Sequence, residues 1–201
     1  MKPLRSICPH CDFILARCLC ESLSPVANQT ELIILQHPSE TKHALSTVKI
    51  MTKCFQEIHL FIGEDFNEHA PLQELLKKKH TALLFPTEES RILTKEHRNI
   101  ERLVLIDASW KKAKKIFFCN PILHQLPVFK LAAEEKSQYR IRSSQLSESL
   151  STLEASLCAL AIIEESLPTE SVKQSFLKMI DFQIEKMGQN TYQENYLKKK
   201  Q

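Results

Sequence analysis

Glycine is almost absent from this chain: Gly63 and Gly188 are the only two among 201 residues. Dinucleotide-binding G-x-G-x-x-G loops and phosphate-binding P-loops need several glycines, because the backbone must approach the phosphates closely. Both loops are therefore excluded. A nucleotide-like ligand of this protein has to be held by another arrangement of side chains and backbone.

Long apolar segments are also missing. The longest uninterrupted apolar run covers 157–163, whereas a membrane-spanning helix needs about 20 apolar residues. The first residues, 1–5, lack the apolar core of a secretory signal peptide. We therefore expect a cytoplasmic protein with no membrane partner, in which the seven cysteines stay reduced. No protein partner is predicted, and the sequence leaves the oligomeric state open.

Five short, largely apolar runs recur along the chain and are separated by helical or loop stretches. Strands buried on both faces have this continuous apolar character, so the pattern predicts an α/β fold with a mostly parallel sheet flanked by helices. The predicted strands are 31–36, 58–62, 81–85, 102–106 and 128–131. The predicted helices are 42–54, 70–79, 109–119, 151–167 and 169–188.

Three segments are expected along the chain. Residues 1–28 form a cysteine-rich head, residues 29–188 form the α/β domain, and residues 189–201 form a polar C-terminal tail. The clearest helix start is a capping box of Ser151 and Glu154, in which each side chain bonds the backbone N–H of the other. Pro168 and Thr169 then indicate where that helix ends and the next is capped.

Four cysteines of the head follow the spacing C-x2-C-x6-C-x-C. They are Cys8, Cys11, Cys18 and Cys20, and four thiolates can complete a closed tetrahedral shell around a structural Zn²⁺. A redox C-x-x-C motif and four merely packed cysteines are the alternatives, and His10 is a possible substitute ligand. The remaining cysteines are expected to be small core residues: Cys54, Cys119 and Cys158.

The turn at 107–110 is the strongest candidate for chemistry. The predicted strand 102–106 ends at Asp107, and ligands of open α/β sheets gather at the carboxyl ends of strands. Asp107, Ser109 and Trp110 are therefore the candidate catalytic residues. The alternatives are that Asp107 or Ser109 only caps the following helix and that Trp110 only packs in the core.

Other polar and aromatic groups also lie near predicted strand and helix ends, where the residues of active sites are commonly found. The candidate ligand-binding residues are His37, Glu40, Phe85, Pro86, Ser151, Thr152 and Glu154. Basic side chains suited to a phosphate-rich partner are Lys111, Lys114, Lys115, Arg140 and Arg142. A solvated surface explains the lysines equally well, and helix capping by itself explains Ser151 and Glu154.

The turn Asp107-Ala108-Ser109-Trp110, followed by Lys112-Ala113-Lys114-Lys115, resembles the D-x-[T/S]-W signature of the DTW-domain family. Other pieces similar to that family occur in the family's order over residues 8–167. They are the cysteine head, His37-Pro38-x-Glu40, Leu84-Phe85-Pro86, Tyr139-Arg140-Ile141-Arg142 and Leu150-Ser151-Thr152-Leu153-Glu154-Ala155. The chain departs from the family at Ser109, where threonine is commonest, and at Val48, where many members have glycine.

The resemblance implies a tRNA-uridine aminocarboxypropyltransferase related to the knotted SPOUT-type enzymes. Such an enzyme transfers the 3-amino-3-carboxypropyl group of S-adenosylmethionine to N3 of a tRNA uridine and releases methylthioadenosine. We expect a SPOUT-like C-terminal knot and Asp107 as the base or hydrogen-bond partner of N3–H. The alternatives are a SPOUT-like tRNA or rRNA methyltransferase and a non-catalytic, zinc-dependent RNA-binding module.

Overall fold

A computed structural model describes residues 6–43, 45–132 and 150–192. Six strands form one sheet in the order β2-β1-β5-β3-β6-β4, and every neighbouring pair is parallel. The strands are β1 Glu31–Gln36, β2 Ile58–Ile62, β3 Thr81–Leu84, β4 Arg91–Ile92, β5 Arg102–Asp107 and β6 Val128–Lys130. The predicted α/β fold and its five strands are confirmed. The exposed edge strand β4 was not predicted, because two residues are too few to show a periodic pattern.

Six helices surround the sheet in the part of the chain that is described. They are α1 Thr47–Cys54, α2 Ala70–Lys77, α3 Trp110–Cys119, α4 Thr152–Ile163, α5 Glu170–Met187 and α6 Gln189–Tyr192. The predicted capping box is confirmed, since the backbone N–H of Ser151 donates to Glu154 and that of Glu154 donates to Ser151. The predicted cap at Thr169 is wrong, because that side chain makes no capping hydrogen bond to α5.

The central strands of the sheet are buried on both faces, and alternate residues of β1 enter two different cores. Leu32 and Ile34 of β1 pack with α1, α4 and α5, whereas Ile33 and Leu35 pack with α2 and α3. This arrangement explains the continuous apolar character of the strand, since neither face is left to water. The molecule is therefore a three-layer α/β/α structure.

The cysteine head packs directly against the first of these cores. Cys11, Leu19 and Val26 are buried in the same cluster as β1 and α5. Cys54 is buried and Cys158 half-buried, but Cys119 is exposed, so its prediction as a core residue is wrong. The helical pattern placed Cys119 on α3 correctly but not on the face that packs.

The division into three segments and the C-terminal knot remain predictions. The stretch 133–149, which joins β6 to α4, lies outside the described residues. Among the residues that are described, no helix is both long and apolar enough to cross a membrane.

Candidate active site

The carboxyl ends of β1 and β5 form a crevice. The chain leaves β1 for α1 on one face of the sheet and leaves β5 for α3 on the other face. Neighbouring parallel strands whose connections diverge in this way leave room for a ligand between them. Gln36 and Asp107 are the last residues of the two strands and lie opposite each other in the ladder.

A cavity of about 530 Å³ opens at this edge of the sheet. Its volume lies within the range of about 300–1,000 Å³ that is common for small-molecule sites. Eight of the predicted site residues line it: Glu40, Phe85, Pro86, Asp107, Ser109, Trp110, Ser151 and Thr152. The structure thus brings together side chains from four separate stretches of the sequence.

The carboxylate of Asp107 is held at both oxygens. The Gln36 side-chain amide donates to Oδ2 at 2.8 Å, and the Thr152 hydroxyl donates to Oδ1 at 2.6 Å. Burial raises the pKa of Asp107 above its usual value, while these two hydrogen bonds act in the opposite direction. Asp107 is therefore a fixed carboxylate with an increased affinity for a proton.

Helix capping does not explain the 107–110 turn. Asp107 accepts its side-chain hydrogen bonds from Gln36 and Thr152, which lie outside α3. Ser109 occupies the N-cap position of α3, but its side chain makes no capping hydrogen bond and is exposed at the cavity. Both side chains are consequently free of the structural role that the sequence offered as an alternative.

Aromatic rings form one wall of the cavity. The half-buried Trp110 ring lies 5.9 Å from that of Phe85, with 46° between the two planes. Phe85 in turn packs 5.2 Å from Phe117 in the core beneath α3. Trp110 thus packs against the core on one side and lines the cavity on the other, so the packing and binding interpretations both hold for it.

His37 is buried and does not line the cavity. The backbone N–H of Ser39 donates to its Nδ1 at 3.0 Å, so the proton of the neutral ring is on Nε2. Nε2 lies 2.6 Å from Oε1 of Glu64 and donates to it. In this structure His37 therefore connects the loop that follows β1 to Glu64.

Glu40 extends from that loop into the cavity lining. The hydroxyl of Ser39 donates to its Oε1 at 3.1 Å. The negative charge of Glu40 adds to the upward shift in the pKa of Asp107 after the effect of burial, and His43 across the same cavity opposes it. The cavity thus combines two carboxylates with a nearby imidazole.

The N-terminus of α4 faces the same cavity. Ser151 and Thr152 line it, whereas Glu154 is buried in the capping box and does not. The first backbone N–H groups of a helix have no partners within the helix and attract anions. The positive end of α4 therefore lies beside the carboxylate of Asp107.

The predicted RNA-binding residues differ in their surroundings. Lys111 and Lys114 are exposed on α3, while Lys115 forms an ion pair with Glu64. That pairing lowers the pKa of Glu64 and raises that of Lys115. None of these lysines lines the cavity. The other two predicted residues, Arg140 and Arg142, lie outside the described residues.

The four cysteines of the head converge on one point. Sγ of Cys8 lies 3.6 Å from those of Cys18 and Cys20, and Sγ of Cys11 lies 3.7 Å from that of Cys18. Zn–S bonds of about 2.3 Å in a tetrahedron require sulfur atoms about 3.8 Å apart. The cluster therefore has the dimensions of a four-cysteine metal site, and His10 is not part of it.

The proton affinities within this cluster are spread widely. Backbone N–H groups of Cys11 and His10 lower the pKa of the Cys8 thiol to about 6. Neighbouring thiols, first Cys18 and then Cys8, raise the pKa of Cys20 to about 12. Because crowded thiolates repel one another, the cluster is suited to binding a cation among them.

Three groups near the site were not assigned a role from the sequence. They are Gln36, His43 and Glu64. Gln36 is a polar residue at the end of a buried strand, and that position was the one available indication of its role. Glu64 is 27 residues from His37 and 51 from Lys115 in sequence, so no local pattern could connect them.

The chain is similar to known proteins over most of its length. The family model described as the DTW domain matches residues 5–187. The chain is 35% identical to tRNA-uridine aminocarboxypropyltransferase 2 of Drosophila melanogaster, over 80% of this chain and 67% of that protein. The enzyme of the same name from Macaca fascicularis is 29% identical, over 97% and 69% of the two chains.

A plant protein extends the range of similar proteins. The chain is 28% identical to tRNA-uridine aminocarboxypropyltransferase A of Arabidopsis thaliana, over 59% of this chain and 53% of that protein. No solved structure matches the chain significantly.

Proposed function

This chain belongs to the DTW domain family, and from that membership we propose that it is a tRNA-uridine aminocarboxypropyltransferase. It transfers the 3-amino-3-carboxypropyl group of S-adenosylmethionine to N3 of a uridine in tRNA. The structural observation that carries the proposal is Asp107, a carboxylate fixed at both oxygens beside a cavity of small-molecule size.

The cavity has complementary groups for the charged parts of S-adenosylmethionine. The N-terminus of α4, at Ser151 and Thr152, suits the carboxylate of the amino acid portion. Glu40 and Asp107 suit its ammonium and sulfonium charges. The wall of Phe85 and Trp110 suits the adenine ring, because aromatic side chains stack well on flat heterocycles.

The reaction is a nucleophilic substitution at a carbon bonded to sulfur. The electron pair on N3 of uridine forms a bond to the γ-methylene carbon, and the bond from that carbon to sulfur breaks. Sulfur keeps the electron pair and leaves as the neutral thioether of methylthioadenosine. The N3 proton passes to the carboxylate of Asp107, whose raised pKa makes it a better base than an exposed aspartate.

Orientation decides which of the three carbons on sulfur reacts. Methyl transfer and aminocarboxypropyl transfer use the same sulfonium, so the protein must direct the γ-methylene toward N3. Gln36 and Thr152 fix the base, and the N-terminus of α4 fixes the end of the chain to be transferred. Ser109, exposed at the cavity, is placed to position the uracil or the cofactor.

The surface beside the cavity supplies the proposed RNA contacts. Lys111, Lys114 and Lys115 lie on α3, whose first residue, Trp110, lines the cavity. Lysines on such a helix bind phosphates and position an RNA without specifying its sequence. Arg140 and Arg142 are proposed for the same purpose from the resemblance of their segment to the family.

The head is proposed to hold one structural Zn²⁺. Its four thiolates leave no coordination position for a substrate, so its contribution is to the fold and not to the chemistry. Free thiols and a metal-binding cysteine cluster suit a reducing compartment, which supports the cytoplasm as the location.

The test combines the purified chain with an unmodified tRNA transcript and S-adenosylmethionine. We expect a nucleoside heavier than uridine by one aminocarboxypropyl group, together with methylthioadenosine. A methylated nucleoside with S-adenosylhomocysteine would show a methyltransferase instead. Salt-dependent tRNA binding with neither product would show a binding module.

A matched pair of variants tests the proposed base. Asp107→Asn should reduce kcat by about 10²–10⁴-fold, the usual contribution of a general base. Asp65→Asn makes the same chemical change at an exposed loop position and should leave activity unchanged. Thermal melting of both variants separates loss of chemistry from loss of fold. Full activity of a folded Asp107→Asn enzyme would overturn the assignment.

A further inference from the structure

The solvent face of α3 carries an aromatic residue as well as lysines. Lys111, Lys114, Lys115 and Phe118 follow the spacing i, i+3, i+4 and i+7, which places them on one side of a helix. The opposite side, with Ala113, Ile116 and Phe117, is buried beneath the sheet. Phe118 therefore lies within the basic face, adjacent to Lys114 and Lys115.

Phe118 is the most exposed large apolar side chain among the described residues, at 67% of its full accessible area. It belongs to neither core. The other exposed large apolar side chains are aliphatic: Ile7, Leu15, Leu60, Ile62 and Ile92. Neither core thus accounts for a phenylalanine at this position.

The ring of Phe118 is nevertheless held in place. Its centroid lies 5.4 Å from the centroid of the Phe117 ring and 6.0 Å from that of the His124 ring, and both pairs are tilted edge to face. His124 stacks on Phe117 at 4.3 Å with 7° between the planes, and its Nε2 donates to the carbonyl oxygen of Phe117. Phe117 and His124 therefore hold the ring of the exposed Phe118 in place.

We propose that Phe118 is a stacking platform for an unpaired base of the RNA, with Lys111 and Lys114 binding phosphates between that base and the cavity. Aromatic rings among lysines are the usual means of holding single-stranded RNA, because every base has a flat face. The proposal rests on the proposed function, since it assumes an RNA substrate, and it adds a second contact outside the cavity.

The distance along α3 fits one continuous strand of RNA. Phe118 lies eight residues after Trp110, or about 12 Å at a rise of 1.5 Å per residue. Stacked nucleotides advance about 3.4 Å each along a strand. The base on Phe118 would therefore lie at least about three to four nucleotides from the uridine in the cavity, because the two side chains also point in different directions around the helix.

The experiment measures the dissociation constant of an unmodified tRNA transcript against salt concentration. Phe118→Ala should weaken binding by roughly 5- to 150-fold, since stacking on an aromatic residue contributes about 1–3 kcal/mol per base. Phe118→Trp should bind as well as the parent, because it keeps the flat ring. Leu60→Ala removes another exposed apolar side chain, on a strand at the far edge of the sheet, and should have no effect.

The salt dependence distinguishes stacking from charge. Phe118→Ala should shift the plot of log Kd against log salt without changing its slope, whereas Lys114→Ala should reduce the slope by about one. The proposal would be overturned if Phe118→Ala bound tRNA as tightly as the parent. It would also be overturned if the variant without RNA sedimented differently from the parent, because Phe118 would then belong to a contact between proteins. If the parent neither binds nor modifies tRNA, the proposed function itself fails.

Discussion

The side-chain amide of Gln36 donates a hydrogen bond of 2.8 Å to Oδ2 of Asp107, from the end of one strand to the end of its neighbour. The two residues are 71 positions apart in sequence. Gln36 is buried and its bond favours the charged form of the carboxylate, while burial favours the neutral form. The sheet register itself thus sets the proton affinity of the proposed base.

Replacing Gln36 tests this relationship. Gln36→Met keeps the length of the side chain but removes the donor, so the pKa of Asp107 should rise further. The acidic limb of the kcat–pH profile should then move to higher pH. A hydrogen bond to a charged group contributes about 1.5–3 kcal/mol, so kcat on the acidic side of the profile, where Asp107 is mostly protonated, should fall by roughly 10- to 150-fold.

Substitutions at Thr152 provide the control for that experiment. Thr152→Val removes the second donor to Asp107 and should move the acidic limb in the same direction. Thr152→Ser keeps the hydroxyl and should leave the limb in place. An acidic limb that does not move in either donor-less variant would show that another group titrates in the reaction.

Asp107 should also reduce the stability of the fold at neutral pH. Its pKa is raised in the folded chain, so the folded state binds the proton more tightly than the unfolded state does. The free energy of unfolding therefore falls as pH rises from the unfolded pKa, near 3.8, through the higher folded pKa. Denaturant unfolding of the parent and Asp107→Asn across this range should show the parent losing stability relative to the variant. A constant difference would contradict the raised pKa.

The strands could be predicted from the sequence because each one can be recognised from its own residues. The five strands that were predicted are largely apolar runs of three to six residues, and the predicted bounds agree with the structure within one residue. The capping box of Ser151 and Glu154 was equally accessible, since both of its bonds connect residues three apart. Patterns between residues this close together can be read from one sequence alone.

The contacts within the site could not be predicted in the same way. Gln36, Asp107 and Thr152 meet only because β5 lies between β1 and β3 and because α4 returns to this edge of the sheet. Strand order depends on the packing of the whole chain. The contacts of His37 were equally inaccessible: its position after a strand suggested a ligand-binding residue, and in the structure its two nitrogens contact Ser39 and Glu64.

Lys114 and Lys115 should contribute unequally to tRNA binding. Glu64 neutralises Lys115, so phosphate binding there releases few counterions. Lys114→Ala should reduce the salt slope of the tRNA dissociation constant by about one, and Lys115→Ala by clearly less. In a Glu64→Gln background, Lys115→Ala should also reduce the slope by about one. Equal slopes for the two lysine variants in the parent would show that RNA breaks the Glu64 pair on binding.

Replacement of the N-cap residue by alanine should destabilise the protein more at α4 than at α5. Ser151→Ala removes a capping hydrogen bond and should lower the free energy of unfolding by about 1 kcal/mol. Ser151→Asp keeps an acceptor and should recover most of that loss. Thr169 holds the corresponding position of α5 but makes no capping bond, so Thr169→Ala should stay within about 0.5 kcal/mol of the parent. Denaturant unfolding of the three variants measures these differences.

The cysteine head should contain one zinc ion per chain, measurable by elemental mass spectrometry of the purified protein. Cys11 is fully buried in the core that also holds β1 and α5, so loss of the metal should destabilise more than the head alone. Cys11→Ser should abolish stoichiometric zinc and lower the free energy of unfolding by about 4 kcal/mol or more, as losses of structural metals do.

The exposed Cys119 provides the matched control for this loss. Cys119→Ser makes the same substitution far from the cluster and should retain both the zinc and the melting temperature of the parent. A strong chelator should lower the melting temperature of Cys119→Ser and of the parent alike, and zinc but not magnesium should restore it, because thiolates bind zinc and magnesium prefers oxygen ligands. A chelator-insensitive, zinc-free and fully stable parent would mean that the four thiols are held together by packing alone.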